Sequence, residues 1–195
     1  MIRLGLFGCT FDPVHYGHLR PVEAARAELG LESVLVLPNP LPPHKLAEPL
    51  TPYAHRKEML RLALSEFPHL TIADYEEQAA GPGYTSDTVR RVMASLAPGE
   101  RELWLIIGAD SLVELPRWKD PEALFRDVRV AVMPRPGVDI DAVPPEFRAR
   151  VRLLQTPLIS VSATDVRRRL RQGGSVSELL APQVIEYIRR HHLYT

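Results

Sequence analysis

Cysteine is almost absent: Cys9 is the only one among 195 residues. No internal disulfide can form, so the fold must rest on a hydrophobic core, and a reducing compartment is the expected setting. Net charge is missing too. Lysine plus arginine and aspartate plus glutamate both total 24, which removes the broad positive field that recruits nucleic acid or an anionic membrane. Any anion site must be local. No apolar run approaches the roughly 18 residues of a membrane span, and no basic stretch leading into an apolar one reads as a secretion signal. These absences predict a soluble, cytoplasmic protein with no nucleic acid or membrane to bind. They leave open whether it forms an oligomer. A chain of this length suits one domain and can bury roughly 70% of its unfolded surface.

What is present has a strong rhythm. The segments Arg3 to Gly8, Ser33 to Pro38, Leu70 to Tyr75, Glu102 to Gly108, Val128 to Pro134 and Val151 to Gln155 are short, apolar and sharply bounded. Such runs predict strands buried on both faces, although periodicity alone does not separate them from buried helix. Helical stretches lie between them. One runs from His18 to Gly30, with that glycine as a C-cap, and one from Pro52 to Phe67, with the proline in its first turn. A third covers Ser86 to Gly99, with Ser86 or Asp87 as cap. Alternating strand and helix predict right-handed crossovers and a mostly parallel sheet, an α/β doubly wound fold. After the last strand only helices follow. A single domain over 1–195 is expected, with about 158–195 as a small helical C-terminal subdomain.

Two common phosphate loops are missing. There is no G-x-x-x-x-G-K-S/T, and Gly5, Gly8 and Gly17 are wrongly spaced for G-x-G-x-x-G. In their place, after the first strand, stands "FGCTFDPVHYGHL", from Phe7 to Leu19. Ligands of open parallel sheets bind beyond the carboxyl ends of the strands, where this loop lies. Gly8 permits close backbone approach, Thr10 supplies a hydroxyl, and a helix beginning near His15 to His18 aims free N–H groups at the same place. His15 and His18 could donate to phosphate oxygens. They could also be zinc ligands, but no H-E-x-x-H or cysteine cluster accompanies them, and Asp12 is the only nearby carboxylate.

Other candidates carry plainer readings beside the functional ones. "VSATDVR", Val161 to Arg167, is a capping box with Ser162 as N-cap and Asp165 at N3, and a capped helix still presents spare N–H groups to an anion. The arginine run that follows reads as a solvated face. Lys45, after the two prolines of "LPPHK", is either a snorkelling surface lysine or a phosphate ligand on a stiffened loop. His44 beside it is open. Asp110 follows a strand end, as sugar- or metal-binding carboxylates do, and is equally placed for a helix cap. Trp118 reads on its own as a core residue. Tyr84 and Thr85 head a helix whose amides would favour a carboxylate over an amide.

The opening loop resembles the G/T-F-D/N-P-x-H-x-G-H signature of the nucleotidyltransferase superfamily. "PNPLPPHK", "HRKEML", "GYTSDTV", "IGADSL" with Trp118, "PRPG", "VSATDVR" and the terminal "YIRRHHLY" follow in order. Together they are similar to the bacterial nicotinate-nucleotide adenylyltransferases, over nearly the whole chain. Cys9 departs from the family's usual G-G-S/T-F. The resemblance implies a Rossmann-like nucleotidyltransferase fold and a reaction in which ATP and nicotinate mononucleotide give deamido-NAD and pyrophosphate. It also implies Mg2+, carried by substrate phosphates rather than by a protein ligand set. By resemblance, Gly8, Thr10, Phe11, His15, His18, Ser162, Thr164 and Arg167 bind ATP. Lys45, Tyr84, Thr85, Asp110, Trp118 and Arg135 bind the mononucleotide, and His15, His18 and Lys45 act in catalysis. Two alternatives stay open: a relative acting on nicotinamide mononucleotide or phosphopantetheine, and a non-catalytic nucleotide-binding regulator.

Overall fold

The computed structural model describes residues 2–42, 49–75, 77, 83–96 and 101–195. Six strands form one sheet: β1 (Ile2–Cys9), β2 (Ser33–Pro38), β3 (Leu70–Ile72), β4 (Arg101–Gly108), β5 (Arg129–Met133) and β6 (Val151–Leu153). All five pairings are parallel, in the order β3-β2-β1-β4-β5-β6. The expected sheet is therefore present. The edge strands are shorter than their apolar runs predict, because β3 stops at Ile72 instead of Tyr75 and β6 at Leu153 instead of Gln155. Short edges offer less unpaired backbone to a stray partner.

The helices are α1 (Tyr16–Leu29), α2 (Tyr53–Leu64), α3 (Thr85–Ser95), α4 (Ala109–Glu114), α5 (Pro121–Asp127), α6 (Pro145–Arg148), α7 (Ala163–Arg171) and α8 (Pro182–Arg190). Gly30 ends α1 in the left-handed region at φ 63°, the expected C-cap, and its N–H reaches the Ala27 carbonyl. The start of α3 differs from expectation. Tyr84, not Ser86 or Asp87, holds the cap position, and Ser86 is buried inside the first turn. At α7 the Asp165 N–H donates to Ser162 Oγ at 3.0 Å as expected. The reciprocal half of the capping box is changed, because the Asp165 carboxylate takes the Ser162 hydroxyl at 3.2 Å.

Apolar side chains sort onto two faces. Val22, Ala25 and Leu29 of α1, Met59 and Leu60 of α2, and Val184 and Ile188 of α8 share one cluster with Val34, Val36 and Ile106 of the sheet. Val89 and Val92 of α3, Leu112 of α4 and Leu124 of α5 share the other with Leu6, Leu105 and Val130. Each fully buried Leu or Val contributes roughly 1.5–3 kcal/mol relative to exposure. Among the described residues no helix is long and apolar enough to cross a membrane.

The strand order reverses between β1 and β4, so the chain leaves the sheet in opposite directions there and opens a crevice beyond Cys9 and Gly108. Close approach of the three central strands is permitted by Gly5. A Cβ at that position would lie 2.8 Å from Val34 Cγ2, 2.9 Å from Leu31 Cδ1 and 3.1 Å from Ile106 Cδ1. Gly5→Val should therefore overpack the sheet and lower stability to urea by about 1–3 kcal/mol. A midpoint equal to wild type would contradict this packing.

Candidate active site

The crevice is built first by a buried cation. Arg56, in the first turn of α2, is only 1% exposed. Its guanidinium donates to four carbonyls: Thr10 at 2.6 Å and Asn39 at 2.8 Å through Nη1, Pro40 at 3.0 Å through Nη2, and Thr51 at 2.9 Å through Nε. These carbonyls lie on three segments, following β1, following β2 and preceding α2. A planar fork of five donors suits that task, and the guanidinium stays charged even though burial lowers its pKa. Asn39 extends the network. Its N–H donates to the Cys9 carbonyl at 3.1 Å and its amide to the Gly83 carbonyl at 3.1 Å, so the β1 loop is tied to the start of α3.

The histidine pair sits on this platform. His15 occupies the N-cap position of α1 and is 4% exposed; its ring stacks on that of His18 at 3.6 Å. Phe11, fully buried at φ 52°, meets the His18 ring edge to face at 5.2 Å. The His15 backbone N–H donates to His18 Nδ1 at 3.3 Å, which assigns the ring proton of neutral His18 to Nε2. That Nε2 lies 3.5 Å from Cys9 Sγ. His15 Nδ1 is buried with no hydrogen-bond partner among the described residues. The glycine between the histidines has a physical reason. A Cβ on Gly17 would lie 2.9 Å from His15 Nδ1 and 3.3 Å from Val161 Cβ, so the missing side chain makes room for the ring and for the approach to α7.

Further contacts bring distant residues to the same loop. Arg167 of α7 donates through Nη1 to the Asp12 carbonyl at 2.7 Å, and its Nη2 lies 3.4 Å from Thr164 Oγ1. Ser162 caps α7 beside them. Gly8 is exposed at the end of β1, and Thr10 is buried. On the other flank Arg135, after β5, pairs with Asp110 at 2.6 Å. The carboxylate of Asp110 folds over Gly108, where a Cβ would lie 2.5 Å from Oδ1. Arg135 reaches across electrostatically, being one of the charges that act on His15.

The third group surrounds the start of α3. Tyr84 is exposed, Thr85 is the first helical residue, and Lys119 places its ammonium 4.8 Å from the Tyr84 ring centroid and 2.8 Å from Asp87. Trp118, next to Lys119, is half-buried against the cluster that includes α3 and α5. The structure thus gathers Gly8, Thr10, Phe11, His15, His18, Ser162, Thr164 and Arg167 around one loop. Asp110 and Arg135 flank it, and Tyr84 and Thr85 join it through Asn39. Lys45 and His44 lie outside the described residues.

Arg56, Asn39 and Lys119 were not singled out from sequence. Arg56 falls in "HRKEML", read only as part of the family resemblance, and the Thr10 and Asn39 carbonyls reveal it as interior. Among the described residues no group of three His, Cys, Asp or Glu side chains is arranged to hold a metal. A hollow of about 440 Å3 lined by Trp104, Phe125, Arg129, Arg150 and Arg152 lies toward the opposite strand ends.

Two expectations follow. Lysine at position 56 keeps the charge but cannot present the planar fork, so Arg56→Lys should cost about 2–4 kcal/mol in urea unfolding. A loss below about 0.5 kcal/mol would remove the platform from this account. His15 is pushed far below its ordinary value of 6.5 because burial penalises the imidazolium, with His18 and Arg135 adding repulsion. The unfolded chain accepts a proton near pH 6.5 that the folded chain refuses. The stabilisation is therefore complete above that pH and is lost as pH falls, by about 2 kcal/mol at pH 5. Urea unfolding of His15→Gln, which cannot take up this proton, should lose that part of the pH slope. An unaltered slope would show that His15 is not held neutral.

Known proteins resemble this chain throughout. The cytidylyltransferase-like family model matches residues 6–169. A probable nicotinate-nucleotide adenylyltransferase of Thermomicrobium roseum is 42% identical, over 100% of this chain and 92% of that protein. The nicotinate-nucleotide adenylyltransferase of Salmonella typhi is 36% identical, over 97% of each. Among solved structures, the Plasmodium falciparum nicotinic acid mononucleotide adenylyltransferase complexed with NaAD superposes with a TM-score of 0.81 at 17% identity, covering 100% of this chain and 98% of that one, which supports the fold. The chain therefore belongs to the cytidylyltransferase-like nucleotidyltransferases and, within them, to the nicotinate-nucleotide adenylyltransferases.

Proposed function

We propose that the crevice between β1 and β4 transfers the adenylyl group of ATP to nicotinate mononucleotide, giving deamido-NAD and pyrophosphate. The observation that carries this reading is the stacked His15–His18 pair at the end of β1, joined through the Asp12 carbonyl to Arg167. Two imidazole donors, two helix N-termini and a guanidinium converge where no nucleophilic residue is required.

The chemistry follows from charge. A phosphate oxygen of the mononucleotide forms a bond to the α-phosphorus of ATP. The bond from that phosphorus to the α–β bridging oxygen breaks, and pyrophosphate leaves with the electron pair. Negative charge grows on the nonbridging and leaving oxygens, so positioned donors lower the barrier. In this reading His18 donates from Nε2 and neutral His15 from one ring nitrogen. Ser162, Thr164 and Arg167 hold the β and γ phosphates, while Gly8, Thr10 and Phe11 line the loop. Lys45 is assigned to phosphate by the resemblance of its P-P-H-K segment. Magnesium would enter as part of the ATP substrate, whose triphosphate oxygens can meet most of its coordination.

The acceptor lies on the other flank. Trp118 stacks on the pyridine ring, Asp110 and Arg135 hold the ribose and phosphate, and the amides at Tyr84 and Thr85 face the carboxylate. A helix N-terminus favours an anion over a neutral amide, which is the physical basis for choosing nicotinate. Reactants of this kind, and a lone thiol, suit a cytoplasmic enzyme.

Pyrophosphate release should be measured with ATP and, separately, nicotinate mononucleotide, nicotinamide mononucleotide or phosphopantetheine. Release should be fastest with the nicotinate form, and His18→Ala should lower turnover about 10²- to 10³-fold with its thermal midpoint kept. Release with phosphopantetheine alone would overturn the acceptor. Near-normal turnover in the variant would remove His18 as a phosphate donor.

A further inference from the structure

The β1 loop has one more partner, supplied from the far end of the sequence. After α8 the chain turns back on itself. The Leu193 N–H donates to the Ile188 carbonyl at 3.1 Å, and His192 and Tyr194 adopt φ of 50° and 62°. Left-handed backbone at such residues is sparsely populated and persists only where surrounding contacts over-determine it. The contact here is polar. The Tyr194 hydroxyl donates to Asp12 Oδ1 at 2.6 Å, across 182 positions of sequence.

Asp12 is 4% exposed and all three of its oxygens are engaged. Its Oδ1 accepts from Tyr194, its Oδ2 from the Thr51 N–H at 3.3 Å, and its carbonyl from Arg167 Nη1 at 2.7 Å. The Arg56 guanidinium adds its positive charge nearby, since Asp12 and Tyr194 both act electrostatically on it. Asp12 therefore holds a fixed backbone orientation, and that orientation aims the carbonyl at Arg167. One guanidinium nitrogen is spent on Asp12 and another lies by Thr164. The plane of the fork is set by these two points. A carboxylate free to turn toward the crevice would also place negative charge beside a triphosphate.

We propose that Tyr194 is a positioning residue for the ATP half of the reaction: by clamping Asp12 it fixes the guanidinium of Arg167 that receives the triphosphate. The clamp holds the carboxylate away from the phosphates and the carbonyl toward the arginine. Among the described residues neither Asp12 nor Tyr194 hydrogen-bonds directly to the start of α3, which is joined to the loop only through Arg56 and Asn39, so the effect of the clamp falls chiefly on the ATP half. Tyr194 keeps its proton for this bond, because burial and the adjacent carboxylate both raise its pKa. The inference rests on the adenylyl-transfer reading, and its tests separate the two.

Tyr194→Phe removes only the hydroxyl. Loss of one hydrogen bond to a charged group predicts a KM for ATP raised about tenfold, with the KM for nicotinate mononucleotide within twofold of wild type. Tyr194→Phe in an Arg167→Ala background should then raise the KM for ATP by less than twofold, because the clamp acts through that arginine. An unchanged KM for ATP in the folded single variant would overturn the proposal. So would equal rises in both KM values, or fully additive effects in the double variant. A second measurement needs no variant and no turnover. Binding is reciprocal, so ATP must tighten whatever tightens its site. Amide hydrogen exchange across residues 188–195 of the wild-type protein should slow several-fold with ATP and stay unchanged with nicotinate mononucleotide. Exchange indifferent to ATP would overturn the clamp. Wild-type protein that slows its exchange with ATP yet transfers no adenylyl group to nicotinate mononucleotide would overturn the acceptor reading alone.

Discussion

The guanidinium of Arg56 is the constraint on which the crevice depends. Loops at the carboxyl ends of parallel strands have no ladder to hold their carbonyls, and each loop by itself has many conformations to lose. A single buried cation collects four of those carbonyls from three segments and fixes them together. Its own burial is tolerable because each bond is charge-assisted and Asp12 lies within its field. The β1 loop is thereby set at the height where α1 can begin on His15.

Rigidity there has a chemical use. Stacking and the backbone bond to Nδ1 orient His18, while burial keeps His15 neutral. In the proposed reaction the neutral His15 and the oriented His18 would serve as directed N–H donors. Positive charge is supplied from farther back, by Arg167 through Asp12 and by Arg135 beside Asp110. The thiol of Cys9 lies 3.5 Å from Nε2 of His18. Among the loop residues it is the one that adds a polarizable contact without a place in the phosphate scheme.

The sheet was legible because buried parallel strands leave continuous apolar runs, and β2 is bounded where its run is bounded. The ends of β3 and β6 were not, since pairing at an edge is decided by the neighbour and not by hydrophobicity. Helices α4 to α6 are four to seven residues long, too short for a periodic signal. The histidine loop and the capped start of α7 could be read because local spacing carries their chemistry. Arg56 and Asn39 could not, because their partners are backbone carbonyls that carry no sequence signature. Tyr194 was visible only as part of a terminal motif, and its bond to Asp12 spans almost the whole chain.

A crystal structure with deamido-NAD tests the central claim most directly, because one molecule spans both half-sites. The account expects its diphosphate within hydrogen-bond reach of His18 Nε2, its pyridine carboxylate at the amides of Tyr84 and Thr85, and the four Arg56 bonds unbroken. A dinucleotide seated away from the β1–β4 crevice, or its phosphates turned from the histidine pair, would contradict it.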